Sequence, residues 1–140
     1  MRNEEVLLQI PASSGYVCLV RRAVCLMAGR MAFGADDVTD LELAVGEACN
    51  NAVKHGREGR PHLVRIRCNV DPASIEIEVR NRYDGTPPKE PLGTRPNPTS
   101  YTEGGLGVHL MKSLVDDVDF QWGKQIAAVR LTKRVRLTQA

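Results

Sequence analysis

Glu47, Asn51 and His55 stand at i, i+4 and i+8, so a helix through them stacks all three on one face. A carboxylate and a carboxamide one turn apart can share a site. The first serves as a base or water-orienting group, the second as an oxygen ligand for Mg²⁺. The same row also describes the solvated side of an ordinary amphipathic helix, and spacing alone leaves both readings open. Farther on, Gly104-Gly105-Leu106-Gly107 opens another helical pattern. Unpaired N–H groups and the positive dipole end of a helix favour an anion there, and glycines let phosphate oxygens approach the backbone. Glycines also simply end loops, so the motif is weak by itself. His109 is near enough to the same helix start to donate to a phosphate as a neutral imidazole, or it packs half-buried under a lid.

The elements that must hold these residues follow from hydrophobic periodicity. Val6 to Ile10, ended by Pro11, reads as a first strand. Ser13 or Ser14 then caps a helix with Val17, Val20, Val24, Met27 and Met31 on one stripe, closed by Phe33-Gly34. Asp36 or Asp37 caps a second helix with Leu41, Val45, Ala48 and Ala52 inward, and Gly56 is placed to end it. Two alternating runs, Val64 to Val70 and Ile75 to Val79, flank Asp71-Pro72 as a hairpin, with Arg65 and Arg67 set against Glu76 and Glu78. Residues 83–103 hold five of the eight prolines and break every pattern, as a functional lid or a linker does. The third helix follows, with Leu110, Met111, Leu114 and Val115 inward. Val118 to Trp122 and Ile126 to Leu131 then form a closing hairpin around Gly123. Strand, two helices, two strands, lid, helix and two strands predict an α+β fold: a two-layer sandwich with a mixed, mainly antiparallel sheet and three helices on one face. No repeat or internal boundary divides it, so residues 1–140 read as one domain.

Composition narrows the function classes. At 140 residues the chain is the size of one domain and can hold a sizeable core. Nineteen Lys and Arg against seventeen Asp and Glu leave a net charge of +2, too little to argue for nucleic acid or an anionic membrane surface. Aromatic residues at 4% also thin any case for stacking on single-stranded nucleic acid. The apolar run Ala23 to Ala28 falls far short of the roughly 20 residues of a membrane span. Asn3, Glu4 and Glu5 interrupt the start where a signal peptide would need apolar residues. Cys18, Cys25, Cys49 and Cys68 lie among apolar neighbours without a CxxC pair, and are expected to be reduced core thiols of a cytoplasmic protein. Lys133, Arg134 and Arg136 alternate with Val135 and Leu137, which reads as an exposed edge-strand face.

Taken together, these segments resemble a family. Glu47 through Gly56 (EACNNAVKHG) resembles the N-box of the GHKL, or Bergerat-fold, ATPases. More narrowly, Leu43 to Gly56, Glu103 to Met111 and Asp116-Asp117-Val118 resemble the bacterial anti-sigma factor serine kinases, across nearly the whole chain. The resemblance implies a histidine-kinase-like ATPase domain with its ATP lid at about 83–103. Glu47 would be the general base towards a substrate serine, and Asn51 the ligand of the Mg²⁺ that bridges the ATP phosphates. Gly104, Gly105, Leu106, Gly107, Val108 and His109 would surround the phosphates. One block departs from the family: in Arg80-Asn81-Arg82-Tyr83-Asp84-Gly85, Asn81 stands where an Asp accepts the adenine amino group, and Tyr83 where a Gly usually leaves room. Gly85 remains a nucleotide-contact candidate. Restoring aspartate at position 81 is expected to tighten adenine binding, by about ten-fold for a charge-assisted bond.

The partners the resemblance implies are a sigma factor and an anti-anti-sigma protein with a STAS-type domain. A homodimer through the first helices or a sheet edge is also implied, with no direct nucleic-acid or membrane contact. Two other readings share the fold. One is a partner-binding module with nucleotide binding weakened at Asn81 and Tyr83. The other is the catalytic domain of a two-component histidine kinase, which the short lid argues against.

Overall fold

The computed structural model describes residues 3–54, 62–82 and 105–136. The elements in order are β1 (Glu4–Pro11), a 3-10 turn (Ser14–Tyr16), α1 (Val17–Gly29), α2 (Ala35–Lys54), β2 (Leu63–Val70), β3 (Ser74–Arg82), α3 (Gly105–Leu114), β4 (Asp117–Gly123) and β5 (Ile126–Arg134). The strands form one sheet in the order β1-β2-β3-β5-β4, and all four pairings are antiparallel. This is the expected α+β architecture; the expected sheet was mixed and mainly antiparallel, and among the described residues every pairing is antiparallel.

Strict alternation makes the sheet two-faced. Val64, Ile66, Cys68 and Val70 of β2 and Ile75, Ile77 and Val79 of β3 are buried, while the residues between them are more exposed. The helices cover that buried face with Val20 and Val24 from α1, Leu41, Val45 and Cys49 from α2, and Val108 and Met111 from α3. Each fully buried side chain of this size contributes about 1.5–3 kcal/mol of transfer free energy, set against the ordering of the chain. Gly46 lets α1 approach α2: a Cβ there would sit 3.2 Å from Cδ of Arg21.

Several local expectations shift. Ser13 precedes the 3-10 turn without a side-chain cap, and α1 begins only at Val17. Its stripe is inward as expected, but Met31 is buried from the turn beyond the helix end. Asp36 and Asp37 lie inside the first turn of α2, where carboxylates favour the positive dipole end, and do not cap it. The β2–β3 turn is held by Asp71, whose Oδ1 accepts from the backbone N–H of Ala73 and Ser74 at 2.7 and 2.8 Å. The bond from Ala73 leads in holding that carboxyl below its ordinary range, with those from Ser74 beside it and desolvation opposing them.

The cross-strand charge match is only half present. Arg67 faces Glu78, but Arg65 faces Arg80. Glu76 and Glu78 instead pair with Arg130 on β5, at 3.4 and 3.7 Å, because β5 is the other neighbour of β3. The cysteines also divide. Cys49 and Cys68 are buried free thiols, pushed up to about 12 by desolvation. Cys18 is exposed, and Cys25 is partly exposed and donates to Oε2 of Glu42 at 3.0 Å. The Gly56 stop, residues 83–103 and Leu137 lie outside the described residues.

Candidate nucleotide site

The site is built where α2 and α3 meet. Leu41, Val45, Ala48 and Ala52 bury one side of α2, which turns Glu47 and Asn51 to another side, both half-buried. The start of α3 lies against them. A Cβ built on Gly107 would stand 3.1 Å from Oε2 of Glu47, and 3.7 and 3.9 Å from Nδ2 and Oδ1 of Asn51. The two motifs, far apart in the chain, thus share one site, and the missing side chain at 107 is what lets them meet.

The donor set suits a phosphate-bound cation. Residues 105–107 open α3, and their backbone N–H groups have no intrahelical acceptor. Magnesium usually takes one or two protein oxygens plus substrate phosphates and waters, so Asn51 as sole protein ligand fits Mg²⁺ held mainly by a nucleotide. No group of His, Cys, Asp and Glu among the described residues is placed to hold a metal ion by itself.

The other candidates fall in different places. Val108 has its side chain in the core at 1% exposure, so only its backbone can face a ligand. His109 stands two positions, about 200°, round the helix from Gly107. Its Nε2 is buried without a hydrogen-bond partner among the described residues. Asn81 closes β3, paired with Val64 on one side and Ala127 on the other, and is only 8% exposed. Its Nδ2 donates to the carbonyl of Ala52 at 3.3 Å and to that of Arg82 at 3.0 Å, so it meets α2 one residue after Asn51. A ring nitrogen of His62 lies 3.5 Å from the same Ala52 oxygen. Gly105 and Leu106 open α3 through their backbone. His55, Tyr83, Gly85 and Gly104 lie outside the described residues.

Lys133 is not on an exposed edge: β5 lies between β3 and β4, and Lys133 is 7% exposed on the helix-facing side. Its Nζ donates to the carbonyl of Leu114 at 2.7 Å and pairs with Oδ1 of Asp37 at 3.6 Å. It thus ties the last turn of α3 to the first turn of α2. The signal was present in the parity it shares with Val129 and Leu131. Beside it, Asp116 accepts the backbone N–H of Arg134 at 2.6 Å and pairs with Arg136 at 3.2 Å. Desolvation pushes the Asp116 carboxyl up, but those bonds and the nearby Lys133 outweigh it and hold it below its ordinary value.

Residues 10–133 match the model of the histidine kinase-like ATPase domain. The chain belongs to that family. Within the histidine kinase-like ATPases it is similar to the serine-protein kinase RsbW of Bacillus pumilus, 35% identical over 93% of this chain and 87% of that protein. It is likewise 36% identical to RsbW of Bacillus subtilis, over 81% of this chain and 76% of that one. Among solved structures, the RsbU and RsbW domains of Rv1364c from Mycobacterium tuberculosis superpose with a TM-score of 0.69 at 16% identity. The histidine kinase domain of the blue-light activated kinase EL346 from Erythrobacter litoralis superposes with 0.61 at 19%. These cover 94% and 90% of this chain but 32% and 62% of theirs, and at such identities they speak for the fold alone. No helix among the described residues is long and apolar enough to cross a membrane.

Proposed function

We propose that this histidine kinase-like ATPase is a serine-protein kinase and anti-sigma factor. In one state it holds a sigma factor; in another it phosphorylates a serine of an anti-anti-sigma protein with a STAS-type domain. It acts in the cytoplasm, as a homodimer, with Mg-ATP. The observation that supports the reading is the closeness of Glu47 and Asn51 to Gly107, a carboxylate and a carboxamide beside a helix start. The RsbW relatives supply the class of chemistry.

Bound Mg-ATP supplies the phosphoryl group and neutralises charge at the transferring oxygens. The protein's residues do the rest. The Glu47 carboxylate would accept the serine hydroxyl proton as the serine oxygen bonds to the γ-phosphorus, while the bond from that phosphorus to the β–γ bridging oxygen breaks and ADP leaves. Asn51 would hold the cation through its side-chain oxygen, and the backbone N–H groups of Gly105, Leu106 and Gly107 would hold phosphate oxygens in place. Little covalent work is asked of the chain; orientation and charge placement carry the rate.

The test is to mix the protein with Mg-ATP and candidate STAS-domain proteins and look for phosphoserine by mass spectrometry. Phosphoserine on one partner is the expected outcome. Partner binding without transfer would replace the reading with a binding module of the same fold. Phosphohistidine on the chain itself would favour a histidine kinase.

A further inference from the structure

β3 is the middle strand of the sheet, and on the side away from the helices its residues read Glu76, Glu78, Arg80, Arg82. Two acids are followed by two bases, a pattern that complements itself when the strand is reversed. The neighbouring strands follow the same gradient. Level with Glu76 are Glu5 on β1 and Asp117 on β4, whereas Arg65 on β2 is level with Arg80. Arg65 and Arg80 stand directly opposite each other, which is unfavourable for like charges, and Nε of Arg65 donates to the neutral Oε1 of Gln9 at 3.1 Å. The helices pack on the other face, while Leu7, Leu63 and Ile126 are exposed on this one. A hollow of about 290 Å³ among Leu7, Arg65 and Arg80 has room for side chains from outside. We propose that this open sheet face is where a second copy of the chain docks, with β3 laid over the reversed β3 of the copy.

The proposal rests on the homodimer in the functional reading, and it moves the contact away from the first helices and the sheet edge. A two-fold contact must be self-complementary: if one residue meets another, the second meets the first in the copy. A two-fold axis along the strands would lay Glu76 over Glu76 and Arg82 over Arg82. An axis across the strands sets Glu76 against Arg82 of the copy and Glu78 against Arg80, each pair twice. The second arrangement also brings a carboxylate to the Arg65–Arg80 pair. Five strands about 4.8 Å apart, seven to nine residues long at about 3.3 Å each, present a face of roughly 600 Å². A stable interface of standard size buries about 800 Å² per partner, so the face is of the right order. Glu47, Asn51 and Gly107 belong to the helix layer, and both nucleotide sites stay clear of the contact.

The experiment is sedimentation equilibrium of the full chain, with thermal melts of every variant. Wild type is compared with Glu76→Lys, Arg82→Glu, both changes in one chain, and an equal mixture of the two single variants. Wild type is expected to be a dimer. Each single change should raise the dimer dissociation constant about ten-fold or more, because it sets like charges together at two places. Melting of the monomer should stay near wild type, since Arg82 is exposed and Glu76 half-exposed. Both changes in one chain should restore the homodimer, and the mixture should form a heterodimer. Leu26→Lys, on the exposed side of α1, should leave the dimer as it is. A dimer unchanged by both single swaps would overturn the proposal while leaving the homodimer reading in place. So would a dimer lost in Leu26→Lys, or a loss that neither the double change nor mixing restores. A wild type that stays monomeric removes the homodimer reading and the proposal together.

Discussion

The two ends of the α2–α3 pair handle polar groups in opposite ways. At the Lys133 end, Nζ holds the Leu114 carbonyl and Asp37, so a cation closes the C-terminus of one helix and meets the acidic first turn of the other. At the Gly107 end, Glu47 makes no hydrogen bond or ion pair with a described residue, although a neighbouring backbone comes close enough to exclude a methyl group. Partnered polar groups hold an assembly together; unpartnered ones in a packed place are what a ligand completes. One end positions the helices, and the other is the end proposed to receive a ligand.

Substitutions at the two ends should therefore break different things. The largest effect is expected from Glu47→Gln, which keeps shape and removes the base. Phosphoserine formation should fall about 10²–10⁴-fold, with Mg-ATP affinity and melting temperature near wild type. If transfer persists at the wild-type rate, Glu47 is not the base and the open end loses its chemical meaning. Gly107→Val would sharpen the same point by placing a side chain between Glu47 and Asn51, costing nucleotide affinity more than stability.

Lys133→Met should do the reverse. It leaves the Leu114 carbonyl and Asp37 without their donor, for a loss of about 1–3 kcal/mol in chemical denaturation, while transfer per folded molecule changes little. A variant as stable as wild type would show that the buried amine is not a tie.

A smaller effect belongs to Asp116→Asn. The Asp116 carboxyl titrates lower in the folded chain than in the unfolded one. Its contribution is thus complete above the ordinary carboxylate range and lost as pH falls through the folded value. The gap between wild type and variant should be about 1 kcal/mol or less at pH 7, because Arg136 is largely exposed, and should close below about pH 4. A gap that widens with acid would contradict the bonding seen around Asp116.

Most of the scaffold could be read from the chain because both periodicities are clean. The stripe Leu41, Val45, Ala48 and Ala52 fixes which way α2 faces, and the alternation of Val64 to Val70 fixes which side of β2 is buried. Glu47 and Asn51 were visible as a row, but their meeting with Gly107 depends on how α3 docks, which no local pattern encodes. Lys133 was misplaced for a similar reason. Its neighbours Arg134 and Arg136 suggested an edge, whereas the sheet order puts β5 inside. Asn81 was recognised as a departure, but its orientation depends on the Ala52 carbonyl, which α2 brings up from elsewhere in the chain.

The place of β1 has a consequence for the order of assembly. The β2–β3 hairpin needs only the turn at Asp71, and β4 meets β5 across Lys124 and Gln125, the latter at φ 61. β1 has β2 as its one partner, and sets Ile10 opposite Val64 with both long helices between them in the chain. Closing so long a loop costs entropy that is recovered only when the receiving edge already exists. During synthesis β1 is thus made well before the β2 edge that receives it, and waits, apolar on one side, for β2 to follow. On its other side Glu5 and Gln9, flanking the exposed Leu7, keep β1 in water in the meantime.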